Sequence, residues 1–218
     1  MNQTVKESLI TLAFFLIIGT VLWQTQGHLF FLLNFLYIGL AASVGELVFG
    51  LLPREKKHIG RKLSQLLIGS YMLGVLGILG WENMQIEGFF IYLLAGIFSG
   101  PVLHYLIAKI GGTFLFGRGW CGWACWTTMV LDYLPWTMSK NGRLKYWGLL
   151  RYVHFFLVLT AILVLWYGFK RHDLSSHSET ALKWLIIGNL LYFVTGIVLA
   201  ASLKDNRAFC KYVCPIPP

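Results

Sequence analysis

The sequence predicts an all-α integral membrane protein, a bundle of six transmembrane helices. Three observations lead to this fold class. Charged residues make up only 12% of the 218 residues, whereas hydrophobic residues make up 57%. The mean hydropathy of +0.66 is typical of chains whose main solvent is lipid. Six apolar stretches have a length of about 20 residues, which a helix needs to cross the hydrocarbon.

The apolar stretches are justified one by one along the chain. A secretory signal is the alternative for the first, but Lys6 is offset by Glu7 and no small-residue cleavage pattern follows, which favours a retained helix. Alternating ten-residue segments typical of a membrane β-barrel are absent from the sequence. We therefore expect one transmembrane domain over residues 1–218. The six stretches lie near residues 8–25, 29–52, 64–81, 89–110, 147–169 and 182–203.

The basic residues predict the orientation of the bundle. With the amino terminus in the cytoplasm, every Lys and Arg except Lys170, Arg171 and Lys183 falls on the cytoplasmic side, as the positive-inside rule requires. The opposite loop between the third and fourth stretches contains Glu82 and Glu87 but no basic residue. Both termini are therefore expected to be cytoplasmic, in a multi-pass protein of the cell inner membrane.

The net charge of +9 bears on the partners of the chain. Basic residues at the ends of membrane helices anchor loops to anionic lipid headgroups, so membrane lipid, and no nucleic acid, is the expected partner. The same orientation makes two longer segments cytoplasmic, a loop at 110–146 and a C-terminal tail at 204–218.

All four cysteines fall in these two cytoplasmic segments. Cys121 and Cys125 lie in GRGWCGWACW, and Cys210 and Cys214 repeat the C-x3-C spacing in CKYVCP. Residues i and i+4 on a helical turn point the same way, so each pair can present two thiolates to a common centre. Four thiolates suit an iron-sulfur cluster, expected to be 4Fe-4S, or zinc; the reducing cytoplasm makes disulfides the weaker interpretation.

The residues around the cysteines bear on which metal they bind. Structural zinc sites usually use C-x2-C, whereas C-x3-C-P ends bacterial ferredoxin runs, and Cys214-Pro215 fits that ending. Arg118, Arg207 and Lys211 lie beside the cysteines. They either offset the negative charge of a cluster or are ordinary charges of a cytoplasmic loop.

Three ionisable residues inside the apolar stretches, Glu46, His104 and His154, form a second candidate site. At 1.5 Å per residue, all three lie roughly 9–10 Å below the cytoplasmic boundary. Such a layer suits a quinone pocket, with a histidine bonding a carbonyl and a carboxylate taking protons. The alternatives are a heme b between the two histidines and plain interhelical hydrogen bonding.

The motifs GRGWCGWAC, with DYLPW downstream, and FCKYVCPIPP resemble the paired C-x3-C-P motifs of the NapH, NosR and CcoG (RdxA) group of polytopic membrane proteins. The resemblance covers most of the chain loosely, and Trp126 stands where the first motif has proline. It implies a membrane electron carrier that takes electrons from quinol or another donor. Members commonly continue into a ferredoxin-like domain; this chain stops at Pro218, so a separate ferredoxin-like or oxidoreductase partner is expected.

The expected function is therefore that of a quinol-linked oxidoreductase subunit that conducts electrons and has no catalytic residue of its own. Two other classes fit the same cysteines. One is a metal-handling protein that reduces or assembles an ion such as copper, although no Met or His cluster lines a path for Cu(I). The other is a structural anchor for a soluble ferredoxin.

Overall fold

A computed structural model of the protein describes residues 3–112, 119–137, 144, 146–175 and 178–215. The secondary structure of these residues is helical, without a β-strand among them. In chain order the helices are α1 (Gln3–Gln26), α2 (Leu29–Leu51), α3 (His58–Ser70, continued as a π-helix over Tyr71–Leu79), α4 (Ile86–Leu94), α5 (Gly100–Leu103, continued as a π-helix over His104–Gly111), α6 (Gly119–Trp123), α7 (Trp126–Leu131), α8 (Trp147–Gly168), α9 (Glu179–Leu203) and α10 (Ala208–Tyr212).

Five of these helices, α1, α2, α3, α8 and α9, are long and apolar enough to cross a membrane. They correspond to five of the six predicted stretches. Many of their large apolar side chains are exposed, among them Ile17, Leu157 and Leu190 at 64%, 64% and 60%. Since helices that are apolar on their outer face need an apolar solvent, the fold class is that of a helical membrane protein.

The fourth predicted stretch, residues 89–110, is not one continuous helix. Helix α4 ends at Leu94 and α5 begins at Gly100, after a turn in which Gly96 has a φ of +69°. A left-handed backbone ends an α-helix, and Pro101, which has no N–H, is tolerated in the first turn of α5 but not in the interior of a continuous helix. The prediction of an uninterrupted helix was therefore wrong here, although Gly96 and Pro101 were visible in the sequence.

The chain divides into two compact units. The first contains Met1–Ser70 and Gly122–Trp126, and the second contains Tyr71–Cys121 and Thr127–Pro218.

Small residues bring the helices of the first unit close together. Ser8 and Ser43 each donate a hydroxyl hydrogen bond to the other's backbone carbonyl, at 2.8 and 2.9 Å, and so join α1 to α2. A Cβ atom added to Gly60 would lie 2.4 Å from the backbone nitrogen of Phe49, so α2 and α3 touch through their main chains. Close backbone approach through small residues is the usual way in which membrane helices associate.

The core of the second unit lies between α4, α5 and α8. Ring contacts extend it, with Phe90 lying 5.8 Å from Phe155 and Phe89 lying 5.0 Å from Tyr105. This core contains Ile86, Ile91, Tyr92, Val102, Tyr105, Val158, Ile162 and Leu174.

The segment before α4 does not form an outer loop of the expected kind. Asn83, Met84 and Gln85 are buried at 1–2% exposure. Glu87, which the sequence analysis assigned to that loop, is the second residue of α4, and its Oε1 accepts a hydrogen bond of 3.0 Å from the Tyr192 hydroxyl of α9. The polarity of the loop therefore marks polar groups buried within the second unit.

Candidate functional site

The two cysteine pairs occupy equivalent places in two short helices of equal length. Cys121 is the third residue of α6 and Cys210 the third residue of α10. Cys125 and Cys214 are each the second residue after the end of that helix. The expectation that each pair lies on a helical turn is therefore met by the first cysteine of each pair, whereas the second lies just beyond the helix. None of the four is in a disulfide, and all are of intermediate exposure.

The repeat extends beyond the cysteines. Residues 118–125 read RGWCGWAC and residues 207–214 read RAFCKYVC, so arginine, small, aromatic, Cys and a second aromatic recur at matching positions. Arg118 lies outside the described residues. Sequence reasoning identified only the cysteine spacing of this eight-residue repeat.

Polar contacts within the second unit hold Cys121 and the segment that carries Cys210 and Cys214. The Thr128 hydroxyl donates a hydrogen bond of 3.0 Å to the carbonyl of Cys121. Asp132, immediately after α7, accepts two parallel hydrogen bonds from the Arg207 guanidinium at 2.6 and 2.5 Å. Their side chains are 2% and 13% exposed. This bidentate ion pair attaches the segment after Cys121 to the beginning of α10.

A second ion pair stabilises the approach to α10. Lys211 Nζ lies 2.6 Å from Asp205 Oδ2, and Asp205 Oδ1 accepts a hydrogen bond from the backbone N–H of Arg207. Arg207 and Lys211 are thus paired with carboxylates of the fold. These ion pairs give both residues a structural role, and whether they also offset the charge of a cluster stays a prediction. Sequence reasoning missed Asp132 and Asp205.

His154 of α8 contacts the segment that carries Cys214. Its Nδ1 lies 2.9 Å from the carbonyl oxygen of Val213, and its Nε2 lies 3.4 Å from the Tyr192 hydroxyl. The Tyr192 hydroxyl in turn donates a hydrogen bond to Glu87 Oε1. Four hydrogen-bonding groups therefore form one row. It begins at Glu87 of α4, passes through side chains of α9 and α8, and ends at the peptide bond that precedes Cys214.

Aromatic packing fixes this row. The Tyr192 ring lies 5.5 Å from the His154 ring and 5.4 Å from the ring of Phe209, which precedes Cys210 and is 2% exposed. The backbone N–H groups of Val213 and Cys214 both donate to the carbonyl of Phe209, at 2.9 Å. Sequence reasoning selected His154 but missed Tyr192 and Glu87, because neither has a motif of its own.

Glu46 lies in the first unit, at a cavity of about 450 Å³. The Oε2 atom of Glu46 is buried without a hydrogen-bond partner among the described residues. The Phe49 ring lies 5.3 Å from the ring of Trp123, and Lys57 Nζ lies 5.1 Å from the Phe49 ring centre. The cavity is lined by Thr4, Glu7, Thr11, Glu46, Phe49, Gly50, Lys57 and Trp123.

His104 lies in the second unit, in the π-helical part of α5. It is 9% exposed, and its ring makes an edge contact of 5.4 Å with Tyr105. A heme held by His104 and His154 is disfavoured, since both ring nitrogens of His154 already face the Val213 carbonyl and the Tyr192 hydroxyl. The contacts of the two histidines differ, and the quinone layer of three residues stays a prediction.

The donor set of the cysteines fits an iron-sulfur cluster chemically, because such clusters are held by four cysteine thiolates and none of these four cysteines is in a disulfide. In the described part of the chain, no three His, Cys, Asp or Glu side chains are grouped so that they could hold a metal ion.

A family model described as a 4Fe-4S binding domain matches residues 98–145 and 187–217. The two matched segments contain all four cysteines. The cofactor is accordingly an iron-sulfur cluster of the 4Fe-4S kind, as the thiols predicted, and the associated role is electron transfer. No curated protein and no solved structure matches the chain.

Proposed function

We propose that the protein is an electron-transfer subunit of the inner membrane that carries a 4Fe-4S cluster at the cytoplasmic face. Cys121, Cys125, Cys210 and Cys214 would hold the cluster, which accepts and donates single electrons. The carrying observation is the repeated element of a five-residue helix and two cysteines, found once in each segment that matches the 4Fe-4S model.

The first test is metal analysis of protein purified without oxygen. We expect iron and acid-labile sulfide, a broad absorption band and a paramagnetic signal on reduction. Replacing all four cysteines by serine should remove iron, sulfide and signal while the variant still elutes as a folded protein in detergent. Stoichiometric zinc without iron would contradict the proposal.

We further propose that quinol is the electron donor and that the cavity at Glu46 receives its head group. Its volume of about 450 Å³ is in the range of small-molecule sites, which are mostly between about 300 and 1,000 Å³. Phe49 and Trp123 offer aromatic faces, and the free Oε2 of Glu46 can accept a hydrogen bond from a quinol hydroxyl. Oxidation of one quinol releases two protons and two electrons. Glu46 would take the first proton and water the second, and a cluster held by the cysteines would accept one electron at a time, with the acceptor protein removing the first before the second arrives.

Single carboxyl substitutions test the donor site. Glu46→Gln keeps the size of the side chain but removes the proton acceptor, so reduction of the cluster by decylubiquinol should slow about 10-fold or more, as for other general bases. Glu55→Gln is the matched control, because Glu55 is exposed and does not line the cavity. Equal rates in both variants, with the chemical reducibility of the cluster intact, would contradict the quinol site alone.

The proposed acceptor is a ferredoxin-like or oxidoreductase protein on the cytoplasmic side. Support comes from the basic residues that surround the cysteine segments in the sequence, since the positive-inside rule assigns those segments to the cytoplasm. Reduction of a soluble ferredoxin that stops in the four-serine variant is the expected result. Unchanged reduction would favour the anchor function instead.

A further inference from the structure

A row of hydrogen-bonding groups leads from a carboxyl group of α4 to the tail that carries Cys214. The contacts are Glu87 Oε1 to Tyr192 Oη at 3.0 Å, Tyr192 Oη to His154 Nε2 at 3.4 Å, and His154 Nδ1 to the Val213 carbonyl oxygen at 2.9 Å. The row lies within the second unit. What it does rests on the proposed function, because it needs a redox centre at the cysteines.

Counting protons restricts the states of this row. A carbonyl oxygen only accepts, so Nδ1 of His154 must carry a proton. Tyr192 has a single hydroxyl proton, which it can give to Glu87 or to His154 but not to both. Each remaining contact then has to be completed by a proton on His154 Nε2 or on Glu87.

With three protons on these groups, two arrangements satisfy every contact. In the first, His154 is an imidazolium that donates to Tyr192, and Tyr192 donates to an ionised Glu87. In the second, Glu87 is a neutral acid that donates to Tyr192, and Tyr192 donates to the bare Nε2 of a neutral His154. Both arrangements contain the same three protons on these groups, so they differ only in where the positive and negative charges lie.

We propose that Tyr192 relays a proton between Glu87 and His154, and that the oxidation state of the centre at Cys214 selects the arrangement. An added electron makes the centre more negative and favours an imidazolium one peptide away from Cys214. The proton of Glu87 passes to Tyr192 Oη while the hydroxyl proton of Tyr192 passes to His154 Nε2. The electron comes from the donor of the proposed function, and no proton enters or leaves the protein.

The surroundings favour such an internal transfer. The Oε2 atom of Glu87 is buried with no hydrogen-bond partner in the described part of the chain, so Glu87 can hold a proton without competing contacts. Tyr192 is held between the rings of His154 and Phe209, which keeps its hydroxyl between the two ends. Charges in an interior of low dielectric interact strongly, so a shift over the length of one tyrosine changes the field at the centre.

Infrared difference spectroscopy of the reduced and oxidised protein tests the relay directly. In the wild type, reduction should remove the C=O stretch of a protonated carboxyl group. The band should be missing from the difference spectrum of Glu87→Gln, which has no acid, and of Tyr192→Phe, which keeps the ring but breaks the relay. Tyr37→Phe is the matched control, because the Tyr37 hydroxyl donates to the Leu67 carbonyl in the first unit.

A redox titration provides a second test of the relay, through the reduction potential of the centre. Without the relay His154 stays neutral, so Glu87→Gln and Tyr192→Phe should each make reduction about 10-fold less favourable, which is about 59 mV for one electron. The double variant should equal either single variant, since both break the same row. The control variant should keep the wild-type potential and band.

The outcomes separate this inference from the proposed function. If purified protein contains no iron or sulfide, both are overturned. If the cluster is present and reducible but reduction leaves the carboxyl band unchanged, or if both variants keep the wild-type potential, the relay alone is overturned.

Discussion

Asp132 shows how one buried charge determines the geometry of a whole segment. It is 5% exposed, and both of its oxygens receive hydrogen bonds from Arg207, which lies 75 residues further along the chain. Removing one member of a buried pair leaves the other without compensation, which costs more than the pair itself contributes. Asp132 is therefore the residue on which the position of the second cysteine pair depends most.

Asp132→Asn should reduce the free energy of unfolding in detergent by about 3–5 kcal/mol, because Arg207 loses its counter-charge in a buried place. The measurement is a denaturant titration followed by tryptophan fluorescence. Asp173→Asn provides the control: Asp173 pairs with Arg171, but their side chains are 43% and 47% exposed, and water screens such pairs. A larger loss at Asp173 than at Asp132 would contradict this assignment.

The local sequence predicted the candidate ligands, but not the residues that hold the cysteine segments in place. The C-x3-C pairs could be predicted because the spacing itself has a chemical meaning. Asp132, Tyr192 and Glu87 could not, since their partners are 75, 38 and 105 residues away and only folding brings them together. Glu87 was even assigned to an outer loop, because a glutamate near a helix end looks solvent-exposed in a sequence.

At the scale of helices, the glycines of α3 differ in what surrounds them. Gly60 faces the main chain of α2, with the Phe49 nitrogen 2.4 Å from a Cβ placed there, whereas no atom lies within 4 Å of the Cβ position of Gly74. The same helix therefore contains one glycine required for close packing and one that is not. The sequence of α3 alone does not show this difference, since it depends on which atoms of other segments lie opposite each glycine.

Gly60→Ala should destabilise the protein by about 1–3 kcal/mol, the usual cost of inserting an atom where neighbours cannot move. Gly74→Ala should leave the stability unchanged or raise it by about 0.5–1 kcal/mol, because alanine favours a helix. Thermal unfolding in detergent compares the two. Equal effects at both positions would mean that α2 can move away from α3 at little cost.

The membrane spans were predictable to the extent that composition determines them. Five apolar stretches form continuous helices with the length and hydropathy that crossing a membrane needs. The fourth failed because hydropathy does not register backbone conformation, and Gly96 and Pro101 interrupt an otherwise apolar run. Window averages of hydropathy therefore predict a continuous helix even where such residues interrupt the helix within an apolar stretch.

For the whole molecule, the positive-inside pattern predicts which loops face which side. Single cysteine reporters in a four-serine background should react with an impermeant thiol reagent from outside intact cells at Gly27 and Ser175. Reporters at the exposed positions Lys56 and Tyr146 should react only after the membrane is opened. The reverse pattern would invert the proposed orientation and with it the side on which electrons leave.

The attachment of the tail has a consequence for biogenesis. The segment after α9 is fixed by Asp132, by His154 of α8 and by the Tyr212 hydroxyl, which accepts from the backbone N–H of Leu144. Asp132, Leu144 and His154, which receive the tail, all leave the ribosome before Cys210 and Cys214, as do α8 and α9. Factors that deliver iron and sulfide would therefore meet a chain in which every described helix up to α9 has already been translated.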